Sequence, residues 1–189
     1  MTPLLALDTT GPWCGVCILG PGGVLAARHE AMPRGQAERL MPLAETALAE
    51  AGLGWGDLKA LGVGVGPGNF TGVRIGVAAA RGLAMALGVP AVGVDAFDAL
   101  QEGGEGPAAV AAPRGLAHLR AAPGMPPLTV RAEALPPDAL GTSRAPALPP
   151  AEAVARVAAR RAREGHEPPA PSYLRAPDAA PGPAAPPVA

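Results

Sequence analysis

Two glycine-rich segments contain the polar side chains that could do chemistry. In the first, the apolar run that begins at Leu4 ends in Asp8-Thr9-Thr10-Gly11. Hydroxyls and amides in such a turn can face a phosphate or a metal-bound water, and α/β sheets usually bind ligands at strand ends. The segment also suits a structural turn in which Asp8 accepts hydrogen bonds from the amides that follow it. The sequence leaves both interpretations open.

The second segment runs from Gly66 to Gly76 and reads Gly-Pro-Gly-Asn-Phe-Thr-Gly-Val-Arg-Ile-Gly. It joins a predicted strand to a predicted helix, with Thr71 as the expected N-cap and with amides behind it that would favour an anion. It is neither a P-loop, because no Gly-Lys-Ser/Thr follows, nor a dinucleotide fingerprint, because a hairpin precedes the first helix. Backbone geometry alone would also explain the glycines. The candidate ligand-contacting residues are Asp8, Thr9, Thr10, Gly66, Gly68, Asn69, Thr71 and Gly72.

The only two cysteines, Cys14 and Cys17, have the C-x-x-C spacing of redox and zinc motifs. They lie inside a predicted strand, where residues three apart point to opposite faces. The three histidines are scattered at His29, His118 and His166, so two further zinc ligands are not evident. We expect two buried small side chains.

Composition excludes several classes of protein. The chain has 189 residues, of which 49% are hydrophobic and 16% charged, and its formal net charge is -1. This balance favours a folded core and argues against general disorder and against nucleic-acid binding through bulk charge. No signal peptide or membrane span is evident, so we expect a cytoplasmic protein without membrane contact.

Hydrophobic periodicity predicts an α/β layered domain in the first hundred residues. The predicted strands are Leu4–Asp8, Gly15–Leu19, Val24–Glu30, Leu61–Val65 and Ala91–Val94, and the predicted helices are Gln36–Ala51 and Val73–Leu87. Pro21-Gly22-Gly23 is a hairpin signal between the second and third strands. The element order indicates a hairpin sheet that is extended by helical crossovers.

The second half has weaker signals. A strand at Leu128–Ala132 and a helix at Ala151–Glu164 are predicted, whereas residues 101–150 are expected to contain little regular structure. From Pro177 onward the chain is rich in proline and alanine, which is typical of disorder. We therefore divide the chain into a lobe at 1–100, a reduced lobe at 101–176 and a tail at 177–189.

The two glycine-rich segments together resemble the bacterial TsaB (YeaZ) family of the glycoprotease-like superfamily. The segment from Glu167 to Arg175 also resembles the family, with its Pro-x-Tyr-Leu-Arg ending. The resemblance implies an ASKHA (actin-like, ribonuclease H-like) fold of two lobes. It also implies a role in making threonylcarbamoyladenosine beside the tRNA anticodon. TsaB proteins are regarded as non-catalytic partners of the catalytic paralogue TsaD, with the ATPase TsaE joining the complex. No cofactor is implied, and tRNA would be met only through the complex.

Departures from the related sequences bear on this role. The His-x-x-x-His metal pair of the catalytic relative falls near Ala96 and Leu100, neither of which can ligate a metal. Asp95 and Asp98 are better explained as a helix N-cap and an exposed acid. Arg114-Gly115 matches part of a family segment whose Asp and Glu-Val-Tyr are missing here. The second lobe is therefore expected to be shortened.

The outer faces of the two predicted helices are the expected partner surface. Such a surface could pair with TsaD or, in its absence, with a second copy of this chain. The interface residues assigned from helical spacing are Arg39, Leu43, Thr46, Glu50, Arg74, Val77 and Arg81. An arginine at Val77 is expected to leave the chain folded and to prevent pairing.

Two alternatives stay open. A nucleotide-binding phosphotransferase-like or glycoprotease-like enzyme would use the glycine-rich segments. Direct tRNA contact would use Arg156, Arg160 and Arg163, which share a helix face. Such a stripe of charge is more often a solvated face.

Overall fold

The computed structural model describes residues 2–163 and 168–174. The strands are β1 (Leu4–Asp8), β2 (Trp13–Gly20), β3 (Gly23–Ala31), β4 (Ala60–Gly66), β5 (Ala91–Asp95), β6 (Ala108–Ala112), β7 (Leu116–Arg120) and β8 (Leu128–Arg131). The helices are α1 (Gln36–Glu50), α2 (Phe70–Leu87), α3 (Ala96–Gln101) and α4 (Pro150–Arg161). His166 and the tail predicted at 177–189 lie outside the described residues.

A five-stranded mixed sheet forms the centre of the molecule, with the strand order β3-β2-β1-β4-β5. β1, β2 and β3 form an antiparallel meander that contains the predicted hairpin, and β4 and β5 run parallel to β1. Because β1 and β4 are parallel neighbours, their carboxyl ends lie at the same edge. The two glycine-rich segments, which follow these strands, therefore meet there.

Helices cover both faces of this sheet. On one face, α1 and α2 pack on a core that includes Leu5, Leu7 and Val63. On the other face, α4 packs on Leu4 and Ala6. Gly62 is required for that contact, since a Cβ there would lie 2.8 Å from the Cβ of Ala158. A helix from the second half of the chain thus completes the layer structure of the first half, and the division at residue 100 stays a prediction.

Residues 101–150 contain more regular structure than expected. They form a three-stranded antiparallel sheet in the order β6-β7-β8. The first two strands are joined by a tight turn in which Arg114 and Gly115 have φ values of 63° and 69°. β6 is Ala-Ala-Val-Ala-Ala, and its alanines lack the β-branched and aromatic side chains that indicate a strand.

The helix α2 is long and apolar enough to cross a membrane, with 18 residues and a mean hydropathy of 1.3. Its buried residues, Gly72, Val73, Gly76, Val77 and Ala80, pack on the sheet, as those of core helices in soluble proteins also do.

Cys14 and Cys17 are free, buried and on opposite faces of β2, as the strand assignment predicts. Burial, with the carboxylate of Glu30 nearby, raises the pKa of Cys14 to about 11. Burial, with Glu152 nearby, raises the pKa of Cys17 to about 12. Both thiols are therefore protonated at neutral pH and poorly nucleophilic.

Neither thiol is expected to react readily with iodoacetamide at pH 8. We expect the native protein to be alkylated at least about 100-fold more slowly than the chain in guanidinium chloride, because the thiols are buried and protonated. Mass spectrometry of the alkylated protein measures this rate. Rapid alkylation of either cysteine under native conditions would contradict the packing of β2.

Candidate functional site: the junction of the glycine-rich loops and the outer helix face

The two glycine-rich loops are in direct backbone contact. The Asn69 amide donates to the carbonyl oxygen of Thr10 at 2.7 Å. The Thr9 hydroxyl donates to the carbonyl oxygen of Gly72, also at 2.7 Å. A Cβ at Gly72 would lie only 1.9 Å from the Thr9 carbonyl oxygen, and one at Gly68 would lie 2.3 Å from that of Thr10. These two glycines therefore allow one backbone to approach another.

Asp8 is buried beneath this contact and accepts three hydrogen bonds on Oδ1. They come from the Thr10 amide at 3.0 Å, the Thr10 hydroxyl at 2.9 Å and the Trp13 indole at 2.7 Å. Burial raises the pKa of Asp8, and the hydrogen bonds from Thr10 and Trp13 only partly oppose it. The local geometry favours the structural-turn interpretation of Asp8 over that of a phosphate or metal ligand.

The start of α2 is capped by the protein itself. Asn69 is the N-cap, and its Oδ1 accepts hydrogen bonds from the amides of Thr71 and Gly72, each at 3.1 Å. The assignment of Thr71 as the N-cap is wrong, because the helix begins at Phe70, one turn earlier than expected. These amides are already paired, so the positive end of α2 offers fewer donors to an anion than the sequence suggested.

A cleft of about 570 Å³ separates the loop junction from the small sheet. It is lined by Asp8, Thr10, Gly11, Pro12, Trp13, His29, Pro67, Gly68, Asn69, Ala96, Ala99, Leu100, Ala109, Val110, Ala111, Gly141, Thr142, Pro146, Leu148 and Pro150. The indole of Trp13 packs so closely on Gly11 that a Cβ there would lie 2.1 Å from it. Among the residues that the structure describes, no group of three or more His, Cys, Asp or Glu side chains could hold a metal.

Replacing Asp8 with asparagine is expected to change the pH dependence of stability. Asn Oδ1 can accept the same three hydrogen bonds without the buried charge. Because the native state holds the Asp8 proton more tightly than the unfolded chain, wild-type stability falls as pH rises from about 4 through the raised pKa of Asp8. Asp8→Asn lacks this fall, so its stability relative to wild type is higher at pH 8 than at pH 4.

Urea denaturation at the two pH values measures this difference. The matched control is Asp138→Asn, which removes an exposed carboxylate and should give no such trend. An equal difference between Asp8→Asn and wild type at both pH values would contradict the account of Asp8.

The outer face of α1 and α2 differs from the predicted one. The assignment of Leu43 and Val77 to this face is wrong, since they are only 1% and 4% exposed and belong to the core. An arginine at Val77 is thus expected to unfold the chain. Thr46, Glu50, Arg74 and Arg81 are exposed as predicted, and Arg39 is half-buried in an ion pair with Glu30. Exposed residues of α2 that the spacing did not identify include Ala78, Gly82 and Met85.

The arginines of α4 are engaged in ion pairs. Arg156 pairs with Glu152 at 2.7 Å, Arg160 pairs with Glu102 at 2.5 Å, and Arg161 pairs with Asp98. Pairing with carboxylates removes most of the field that a stripe of arginines would offer to phosphates. Arg163, the last of the predicted stripe, is exposed.

The carboxylates on α3 complete a network with Arg120. Asp95 caps α3 as predicted, but Asp98 is not an exposed acid. Asp98 accepts from Arg120 at 2.6 Å and also pairs with Arg161. Burial alone would raise the pKa of Asp98, but the hydrogen bonds from Arg161 and Arg120 outweigh it and lower that pKa. The network ties β7 to α3 and α4.

Comparison with known proteins gives consistent matches. The family model described as "TsaD: tRNA N6-adenosine threonylcarbamoyltransferase" matches residues 22–120, just over half of the chain. The tRNA threonylcarbamoyladenosine biosynthesis protein TsaB of Escherichia coli (strain K12) is 38% identical over 100 residues, which are 53% of this chain and 43% of that protein. The tRNA N6-adenosine threonylcarbamoyltransferase of Cereibacter sphaeroides (strain ATCC 17025 / ATH 2.4.3) is 50% identical over 74 residues, which are 39% of this chain and 20% of that protein.

A solved structure matches over nearly the whole fold. The crystal structure of an uncharacterized protein with similarity to peptidase YeaZ, from Pseudomonas aeruginosa, superposes with a TM-score of 0.76 and 28% identity. The match covers 93% of this chain and 100% of that one. The chain spans less than half the length of the curated TsaB relatives it matches.

Proposed function

This chain belongs to the TsaB (YeaZ) family and has its ASKHA-type α/β fold, and we propose that it is a non-catalytic scaffold subunit in the synthesis of threonylcarbamoyladenosine on tRNA. In this proposal it pairs with the catalytic subunit TsaD through the outer face of α1 and α2. The names of the TsaB relatives support the pathway. Helices cover both faces of the central sheet. This arrangement supports a subunit that offers helices to a partner rather than a reaction centre of its own.

One observation carries the proposal: polar groups at the loop junction are bonded within the chain, while α2 presents a face of small residues to the outside. Ala78 and Gly82 are exposed one turn apart, between Arg74 and Met85. A helix of a partner can approach closely over such side chains, because the distance between packed helices is set by the residues at the contact. Arg74 and Arg81 would contribute at the same surface, as arginine often does at interfaces.

The phosphotransferase-like or glycoprotease-like alternative has less support. The Thr9 hydroxyl and the Thr10 hydroxyl both have partners inside the chain, as do the amides at the start of α2. A phosphate would have to displace these bonds. A nucleophilic mechanism also needs a base within reach of a nucleophile, and Cys14 and Cys17 are buried and protonated.

Further partners belong to the same proposal. The ATPase TsaE joins the TsaD complex, and tRNA meets the complex rather than this chain alone. Without TsaD, two copies of this chain pair through the same helix face, so that the homodimer and the TsaD complex compete. This chain needs no cofactor of its own.

Reconstituted tRNA modification tests the proposal. TsaD, TsaE, tRNA and threonylcarbamoyl-adenylate are combined with and without this chain, and modified adenosine is measured by mass spectrometry. We expect modification only when both TsaD and this chain are present, and none with this chain alone. Asp8→Asn should support the same rate as wild type, since Asp8 has a structural role.

Two results would contradict a scaffold role. One is modification by this chain without TsaD. The other is loss of modification with Asp8→Asn while binding to TsaD is retained, which would assign Asp8 to the reaction. Micromolar ATP binding by the isolated chain, measured by calorimetry, would favour the phosphotransferase-like alternative.

A further inference from the structure

Arg74, on the exposed surface of α2, is held in place by two aromatic side chains. Its guanidinium carbon lies 3.7 Å from the ring centroid of Phe70. Its Nε donates a hydrogen bond to the Tyr173 hydroxyl at 2.8 Å. The two aromatic rings lie 5.5 Å apart between centroids. One side chain comes from the glycine-rich loop and the other from a segment about a hundred residues later, so the contact is tertiary.

The segment 168–174 brings Tyr173 to this position. Pro169 is buried, and its Cβ would lie 3.4 Å from a Cβ placed on Gly93 of β5. The Ser172 amide donates to the carbonyl oxygen of Val65 at 2.8 Å, which fixes the segment against the end of β4. Tyr173 is therefore anchored on both the sheet and the helix.

Among the described residues, the terminal amino groups of Arg74 have no hydrogen-bond partner. Within residues 2–163 and 168–174, Arg74 forms no ion pair, and its only hydrogen bond uses Nε. By contrast, Arg28, Arg39 and Arg156 are each paired with a glutamate. A guanidinium that lies over an aromatic ring and is anchored through Nε keeps the N–H donors of its two terminal amino groups for a ligand. Little rotamer freedom remains to be lost when a carboxylate binds.

We propose that Arg74 is a preformed receptor for a carboxylate of the protein partner, an Asp or Glu side chain bound by both terminal amino groups. This inference rests on the proposed function, because it specifies the chemistry by which the partner is recognised. Phe70 and Tyr173 contact the guanidinium and are 54% and 48% exposed. They form an apolar rim that would exclude water from the ion pair, which is the environment in which interface arginines contribute most.

Charge favours a protein carboxylate over an RNA phosphate. A phosphate backbone is bound by several cations together, whereas the net charge of the chain is -1 and the arginines of α4, on the other face of the sheet, are paired. A single fixed guanidinium in an apolar rim matches a single carboxylate.

A binding titration of the full-length chain with TsaD tests this inference. Arg74→Gln and Arg74→Lys are both expected to raise the Kd about 10- to 100-fold, because lysine retains the charge but not the fork. Tyr173→Phe, which loses only the anchor on Nε, is expected to raise it several-fold. The matched control is Arg131→Lys, an exposed arginine on β8 outside the proposed interface, which should change the Kd by less than about twofold.

Salt dependence separates an ion pair from packing. The Kd of the wild-type chain should increase more steeply with salt than that of Arg74→Gln. Arg74→Lys binding as tightly as wild type would overturn the inference and leave the proposed function intact. So would an Arg74→Gln variant that loses tRNA affinity but not TsaD affinity.

Asp178→Asn identifies the source of the carboxylate. We expect this variant to bind TsaD as wild type does. A loss equal to that of Arg74→Gln would assign the carboxylate to this chain and overturn the inference. Failure of the wild-type chain to bind TsaD at all would overturn the proposed function, and this inference with it.

Discussion

Gly72→Ala is expected to destabilise the fold by about 3 kcal/mol or more. The new Cβ would lie 1.9 Å from the Thr9 carbonyl oxygen, which belongs to backbone and cannot rotate away. Relief of the clash would separate the two glycine-rich loops and break the hydrogen bond from the Thr9 hydroxyl to the Gly72 carbonyl. Urea denaturation followed by circular dichroism measures the loss as a lower midpoint with an unchanged slope.

Gly82→Ala is the matched control, because it makes the same change in the same helix. A Cβ at Gly82 meets nothing within 4 Å. Alanine has the higher helix propensity, so this variant is expected to be more stable than wild type by about 0.5–1 kcal/mol. If Gly72→Ala were as stable as Gly82→Ala, the loops could not be in the contact described.

Arg120→Met is expected to cost about 2–3 kcal/mol. Arg120 is 5% exposed, and it is bonded to Asp98 at 2.6 Å and to Gln101 at 2.7 Å. Methionine fills most of the space but leaves these acceptors with one donor fewer. Removal of one partner of a buried ion pair typically costs 3–5 kcal/mol, and the cost here is reduced because Asp98 keeps Arg161 and is partly exposed.

Acid lability provides a second readout of the Arg120 network. The lowered pKa of Asp98 gives stability that is present above the unfolded pKa and is lost as pH falls through the folded pKa. Arg120→Met should therefore lose less stability than wild type between pH 5 and pH 2. Arg131→Met, which changes an exposed arginine on β8, is the control and should be close to neutral. A neutral Arg120→Met would show that the network does not attach the small sheet.

The elements with strong local signals were predictable from sequence. β1 has the predicted bounds Leu4–Asp8, because an apolar run ends at an acid and a turn. α2 ends at Leu87 as predicted, since Gly88 adopts the left-handed conformation with φ 65°. The start of α2 was placed three residues late, because Asn69 and Thr71 are both acceptable N-caps and only the tertiary contact with Thr10 distinguishes them.

The orientation of α2 could not be read from its sequence. Apolar residues occur all around this helix, so the periodicity does not identify one buried face. Val77 is buried and Ala78 is exposed, one position from the assignment made by spacing. Packing against the sheet fixes the orientation of α2, because Gly76 must face the Thr9 hydroxyl. A Cβ at Gly76 would lie 2.8 Å from Oγ1 of Thr9.

Local sequence also could not predict whether the polar groups at the loop junction are bonded within the chain. Whether Asp8 and Thr9 are free to bind a ligand depends on Trp13 and Gly72, which reach them only in the folded chain. β6 was missed for a related reason, since an alanine-rich strand is formed by pairing and burial rather than by intrinsic propensity.

The mass of the complex with TsaD, measured by size-exclusion chromatography with light scattering, tests the central claim most directly. Ala78 is exposed at the centre of the α2 face, so Ala78→Arg should leave the circular dichroism spectrum unchanged while placing an unpaired charge in the interface. Thr129→Arg adds the same charge on the exposed strand β8 as a control. The account predicts that wild type and Thr129→Arg elute with TsaD as a complex, whereas Ala78→Arg elutes separately. Co-elution of Ala78→Arg with TsaD, or no complex with the wild-type chain, would contradict it.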